Sequence, residues 1–196
     1  MSTSVISIDS PRKLNISIIW YPPTRNKWIK SVLYKYKYDS EINDLIGFNV
    51  SNPIVFIIHG FKNNAGDTSM FSVRLHFVKA ITSNRMFQLS LSFQRLKDHI
   101  QNVSHNQVNV FLVDWSQVAN HYSYSSCIAN LPVLGDSLAY FIERLLTRFQ
   151  IEPKNLHLIS HSLGCHLAAY TGQRLIAEGL KIGNLIRTFG KERAKA

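Results

Sequence analysis

Acidic residues are scarce in this chain, and cysteines scarcer still. Twelve Asp and Glu stand against 22 Lys and Arg, a formal net charge of +10. A basic surface enriches a protein near anionic lipid, although Lys191, Arg193 and Lys195 of that excess crowd into the last residues. The aromatic residues form no stripe of the kind that stacks on RNA bases, so no nucleic-acid partner is expected. Cys127 and Cys165 are the two cysteines. They allow at most one disulfide, and two small buried thiols are the better reading. Neither has metal-ligand spacing to a partner, and no metal or organic cofactor is expected. No apolar run reaches the roughly 18–20 residues that span a bilayer. Met1 to Pro23 shows no clear signal peptide, because Leu14 to Trp20 is short and interrupted by polar residues. Three Asn-x-Ser sequons, at Asn15, Asn49 and Asn102, suit a secreted chain, but an Asn- and Ser-rich sequence produces several by chance.

What is present suits one globular domain of α/β class. The chain is 45% hydrophobic and 17% charged, enough to bury a sizeable core. Ile54–Ile58, Val108–Val113 and Leu156–Ile159 are short apolar runs, as expected of parallel strands covered on both faces. Ile29 to Tyr38 alternates with a period of two, which predicts a half-exposed antiparallel edge strand. Pro132 to Gln150 places Leu134, Leu138, Phe141, Leu145 and Phe149 on one helical face. Leu163 to Glu178 predicts a second helix, ended by Gly179.

The last strand and this second helix meet at Ser160-His161-Ser162-Leu163-Gly164. A serine at the tip of a strand-to-helix turn, with small residues two positions before and after, reads as a nucleophile elbow. Ser160 stands where glycine is usual but stays small. The turn presents Ser162 and not Cys165. The Leu163 N–H and the helix dipole would both favour a developing oxyanion.

Two further segments make a resemblance. The first apolar strand ends in His59-Gly60-Phe61, and the second in Asp114-Trp115-Ser116. Together with the elbow, in this order, they resemble the animal lipases of the pancreatic lipase family. Gly47-Phe48-Asn49 and Ser51-Asn52-Pro53 are similar to its insect branch. The motifs cover roughly Lys30 to Arg187. The resemblance implies an α/β-hydrolase fold with a mostly parallel sheet and an antiparallel N-terminal edge. It implies a secreted serine esterase that releases fatty acids from acylglycerols or phospholipids. Ser162 would be the nucleophile, with the Phe61 and Leu163 N–H groups as the oxyanion hole. His161 and His59 would be packing and backbone-positioning residues, and Asp114 structural.

Against that pattern the sequence departs in three places. No aspartate follows Asp136, and His166 is the only histidine after Ser162, so the family's catalytic Asp and His are not matched. Residues 1–29 read as an atypical N-terminal segment and 188–196 as a divergent tail, around a partial hydrolase domain at 30–187. The run between His-Gly-Phe and Asp-Trp is long, with an excess near 75–95 that reads as an unspliced insert. Its competing reading is a surface helix carrying Leu75, Val78, Ile81 and Met86. The expectation is a truncated and inactive esterase. The alternative is a non-catalytic lipid-binding or yolk-protein-like member.

Overall fold

The computed structural model describes residues 8–21, 45, 47–63, 71–74, 88–91, 97 and 107–188. Its centre is strand β2 (Ile54–Ile58), five apolar residues that are all buried. Such a run has no solvent face, so it needs a sheet neighbour on each side and cover above and below. Strands β5 (Asn109–Asp114) and β6 (Leu156–His161) flank it in parallel. Strand β7 (Asn184–Thr188) adds in parallel to β6, and β1 (Ser17–Tyr21) pairs antiparallel with β5. The resulting order is β1-β5-β2-β6-β7. This is the mixed α/β sheet with an antiparallel edge that the sequence predicts.

The period-two stretch Ile29–Tyr38 lies outside the described residues. Among the described residues Ser17–Tyr21 forms the antiparallel edge, with Ser17 opposite Asp114 and Tyr21 opposite Val110. Its side chains Ile18 and Trp20 are fully buried, and the Trp20 ring lies 4.8 Å from that of Phe111. Within the atypical N-terminal segment, Leu14, Ile16, Ile18 and Trp20 therefore contribute to the core. A separate antiparallel pair joins β3 (Phe71–Arg74) to β4 (Gln88–Leu91). Within the 75–95 stretch Gln88–Leu91 is thus strand; Leu75, Val78, Ile81 and Met86 lie outside the described residues.

A short helix α1 (Pro11–Leu14) precedes β1, and α2 (Ser116–His121) follows β5. Helix α3 (Tyr124–Phe149) begins eight residues before Pro132, the start expected from sequence. Ser123 sets that start: its side chain accepts the Ser126 N–H, satisfying one orphan donor of the first turn. Proline inside the helix then forfeits one backbone bond, which burial of Leu131, Leu134, Leu138, Phe141, Ile142 and Leu145 outweighs at about 1.5–3 kcal/mol each. Cys127 accordingly sits in α3, with its thiol donating to Val118 O at 3.2 Å. Helix α4 (Gly164–Ala177) packs on α3. Gly135 permits that approach, since a Cβ there would stand 2.6 Å from Tyr170 Cβ.

At the far end of the sheet His157 is buried between β6 and β7. It lies 3.2 Å from Asn184 Nδ2, and a Cβ on Gly183 would meet its ring at 2.6 Å. Burial holds its pKa down at about 4. A histidine kept neutral by the fold stabilises it fully above its unfolded pKa of about 6.5, and that contribution fades as pH falls towards 4. Urea unfolding at pH 7.5 and pH 4.5 should therefore show a loss of up to about 3 kcal/mol in the native chain. His157→Gln should show a clearly smaller loss; equal losses in both would contradict the assignment.

Candidate active site

The turn from β6 to α4 holds Ser162 in a left-handed conformation, with φ 50°. For a residue with a Cβ this costs about 1–2 kcal/mol, so the surroundings must enforce it. They do so by contact. A Cβ added to Gly164 would lie 2.2 Å from the carbonyl oxygen of His59 and 3.0 Å from that of Ile58. The start of α4 therefore touches the end of β2, and only glycine fits. Ser160, two residues before the tip, is buried, and its hydroxyl donates to Ile186 O of β7 at 3.2 Å. That bond explains how a hydroxyl replaces the usual hydrogen of glycine at this position. Ser162 stands exposed between buried Ser160 and buried Leu163.

The loop after β2 lies against the serine. A Cβ on Gly60 would come within 3.0 Å of Ser162 Cβ and 3.1 Å of His161 O. Phe61 is half-buried, its ring edge-on to Tyr124 with centroids 5.2 Å apart. Lys62 has φ 56°, donates its N–H to Ala119 O at 3.1 Å, and reaches Asn120 O through Nζ at 2.7 Å. Asn120 Nδ2 donates back to Asn63 O at 3.3 Å. Helix α2 thus clamps the loop from one side. These clamp residues were missed in the sequence, because backbone acceptors leave no pattern in residue types.

His59 ties the loop to β5 from the other side. Its Nδ1 lies 2.9 Å from Gly60 O, and its Nε2 lies 3.2 Å from the Trp115 nitrogen. A proton on Nδ1 satisfies both contacts, with Nε2 accepting from the Trp115 N–H. The Trp115 indole N–H donates to His59 O at 2.8 Å, and the two rings stack 5.3 Å apart. Asp114 Oδ1 accepts the Ser116 N–H at 3.1 Å and sits 3.4 Å from His59 Nε2. Burial works against the Asp114 charge, but His59, whenever its Nε2 also carries a proton, and the Ser116 hydrogen bonds outweigh it and hold the carboxyl at about 2.

Ser162, Gly60, Phe61 and Leu163 are brought together. His166 is exposed on α4 beyond the turn, and Cys165 is buried with its thiol donating to Ser160 O. Neither cysteine is in a disulfide. Among the described residues no cluster of three His, Cys, Asp or Glu could hold a metal ion.

The pattern in which these pieces follow one another is matched by the family model Lipase over residues 3–187. The chain belongs to the lipase family. The match begins well before Lys30 and takes in β1. Pancreatic lipase-related protein 2 of Sus scrofa is 44% identical over 128 residues, 65% of this chain and 22% of that protein. Pancreatic triacylglycerol lipase of Equus caballus is 27% identical over 165 residues, 84% of this chain and 29% of that protein. Phospholipase A1 of Vespula maculifrons is 25% identical over 154 residues, 74% of this chain and 42% of that protein. The chain spans less than half the length of each of these curated relatives.

Within this lipase-family chain, two glycines of α4 make a controlled pair. Gly164→Ala forces a Cβ against backbone carbonyls and should cost about 2 kcal/mol or more. Among the described residues a Cβ at Gly172 meets nothing within 4 Å, and Gly172→Ala should stabilise by about 0.5–1 kcal/mol through helix propensity. Urea midpoints of the two variants check both signs.

Proposed function

We propose that the chain carries the nucleophile and oxyanion loop of a secreted serine esterase acting on lipid esters. The observation that carries this reading is exposed Ser162 at φ 50° with Gly60 packed against it. Strain of this kind persists where a side chain must be presented at a point. The Ser162 hydroxyl oxygen attacks the ester carbonyl carbon. The Phe61 and Leu163 N–H groups then receive the tetrahedral oxyanion, aided by the N-terminus of α4. Loss of the alcohol leaves an acyl-serine, which water releases as the fatty acid. Relatives named as a triacylglycerol lipase and a phospholipase A1 support fatty-acyl esters as the substrate class. The same kinship supports an extracellular location, and the net charge of +10 supports approach to an anionic lipid surface.

The hydroxyl proton needs an acceptor. His59 has both ring nitrogens engaged with the loop and β5. His166 stands exposed on α4 and is not aligned by a described carboxylate. The 196 residues alone should therefore turn over a short-chain nitrophenyl ester several orders of magnitude below a complete triad. Added imidazole should raise the rate beyond its protein-free reaction with the ester, and Ser162→Ala should abolish that excess. An imidazole response of equal size in Ser162→Ala would show that Ser162 is not the nucleophile.

A further inference from the structure

The fold sets the sequons apart by position. Asn102 lies outside the described residues. Asn49 opens a turn just before β2, closed by the Asn52 N–H donating to Asn49 O at 3.0 Å. Its own Oδ1 accepts the Ser51 N–H at 3.0 Å. The buried side chain of Asn109 braces the turn through its backbone alone. Asn109 Oδ1 accepts the Asn49 N–H at 3.3 Å, and Asn109 Nδ2 donates to Asn49 O at 2.7 Å and Asn52 O at 3.2 Å. The Asn49 amide nitrogen is left with no hydrogen bond among the described residues. Asn49 and Ser51 are exposed, and Val50 between them is 49% exposed. A sequon whose turn is anchored by backbone, with its amide nitrogen bare, can carry a large substituent without loss of any contact.

Its place in the sheet matters as much. The Asn109 N–H donates to Pro53 O at 2.8 Å, so the turn sits where the parallel strands β2 and β5 begin. Ser162 follows the opposite end of β6. The five-residue length of β2 separates these ends by roughly 17 Å. Asn15 differs, because Ser17 pairs with Asp114 at the end of β5 that leads into Trp115 and lies beside His59.

We propose that Asn49 is an N-glycan acceptor, placed at the end of the sheet remote from Ser162 so that the sugar leaves the elbow open. The inference rests on the secretory route proposed above. The co-reactant is a lipid-linked glycosyl pyrophosphate. Asn49 Nδ2 forms the bond to the anomeric carbon, and the bond from that carbon to the pyrophosphate oxygen breaks. The pyrophosphate departs with the electron pair, and one amide proton passes to solvent through the transferase base.

The test is translation of the full chain, behind a cleavable signal sequence, into membrane vesicles that hold the glycosylation machinery. Site-resolved mass spectrometry after enzymatic glycan release should show Asn49 converted to aspartate. Ser51→Ala removes the sequon but keeps the backbone N–H that Asn49 Oδ1 accepts, so it should fold and lose the mark. Ser51→Thr should keep it. Lumenal protein left unmodified at Asn49 would overturn the proposal, as would a mark that persists in Ser51→Ala. Fractionation of native tissue separates the underlying reading: intracellular native protein, with Asn49 modified in the vesicles, refutes the secretory route while supporting the site.

Discussion

The contact between Gly164 and the carbonyls of Ile58 and His59 is the constraint on which the site depends. A strand end and a helix start lie so close there that the helix tolerates no side chain at position 164. Once that approach is made, the chain between β6 and α4 has too few residues to turn without a left-handed conformation. Ser162 takes it and is thrust outwards. The same proximity demands glycine at position 60, because the loop after β2 must pass beside Ser162 Cβ. One packing requirement thereby sets a glycine in each of two distant segments, a small residue at 160 and the exposure of the serine.

A backbone held under strain needs a rigid frame, and the frame is assembled from long-range polar contacts. The His59–Trp115 pair joins β2 to β5 through two hydrogen bonds and a ring stack. Helix α2 clamps the other flank through Lys62, Asn120 and Asn63. Behind it, the Tyr122 hydroxyl donates to Asp9, and the Asp9 N–H donates to Asn130 Oδ1 at 2.7 Å. The segment ahead of β1 thus fastens the corner between α2 and α3, which in turn holds the loop beside the serine.

Apolar runs made the central strands legible, since Ile54–Ile58 and Leu156–Ile159 have no polar face to hide. The elbow was legible for a steric reason: few residue types survive at positions 160, 162 and 164 together. Strand β1 was not, because Ser17–Tyr21 is short and is held by pairing with β5 rather than by any pattern of its own. The true start of α3 was hidden by Pro132, which usually marks a first turn, whereas the cap is Ser123. Lys62 and Asn120 act through backbone acceptors, for which no residue pattern exists.

The account turns on where two amide groups point. A crystal structure of the chain with an alkylboronic acid bonded to Ser162 Oγ tests this most directly, because the tetrahedral boronate copies the oxyanion intermediate. One boronate oxygen is predicted to lie about 2.7–3.1 Å from both the Phe61 and the Leu163 nitrogens. A boronate on Ser162 whose oxygens all face solvent, with those amides turned away, would contradict the account.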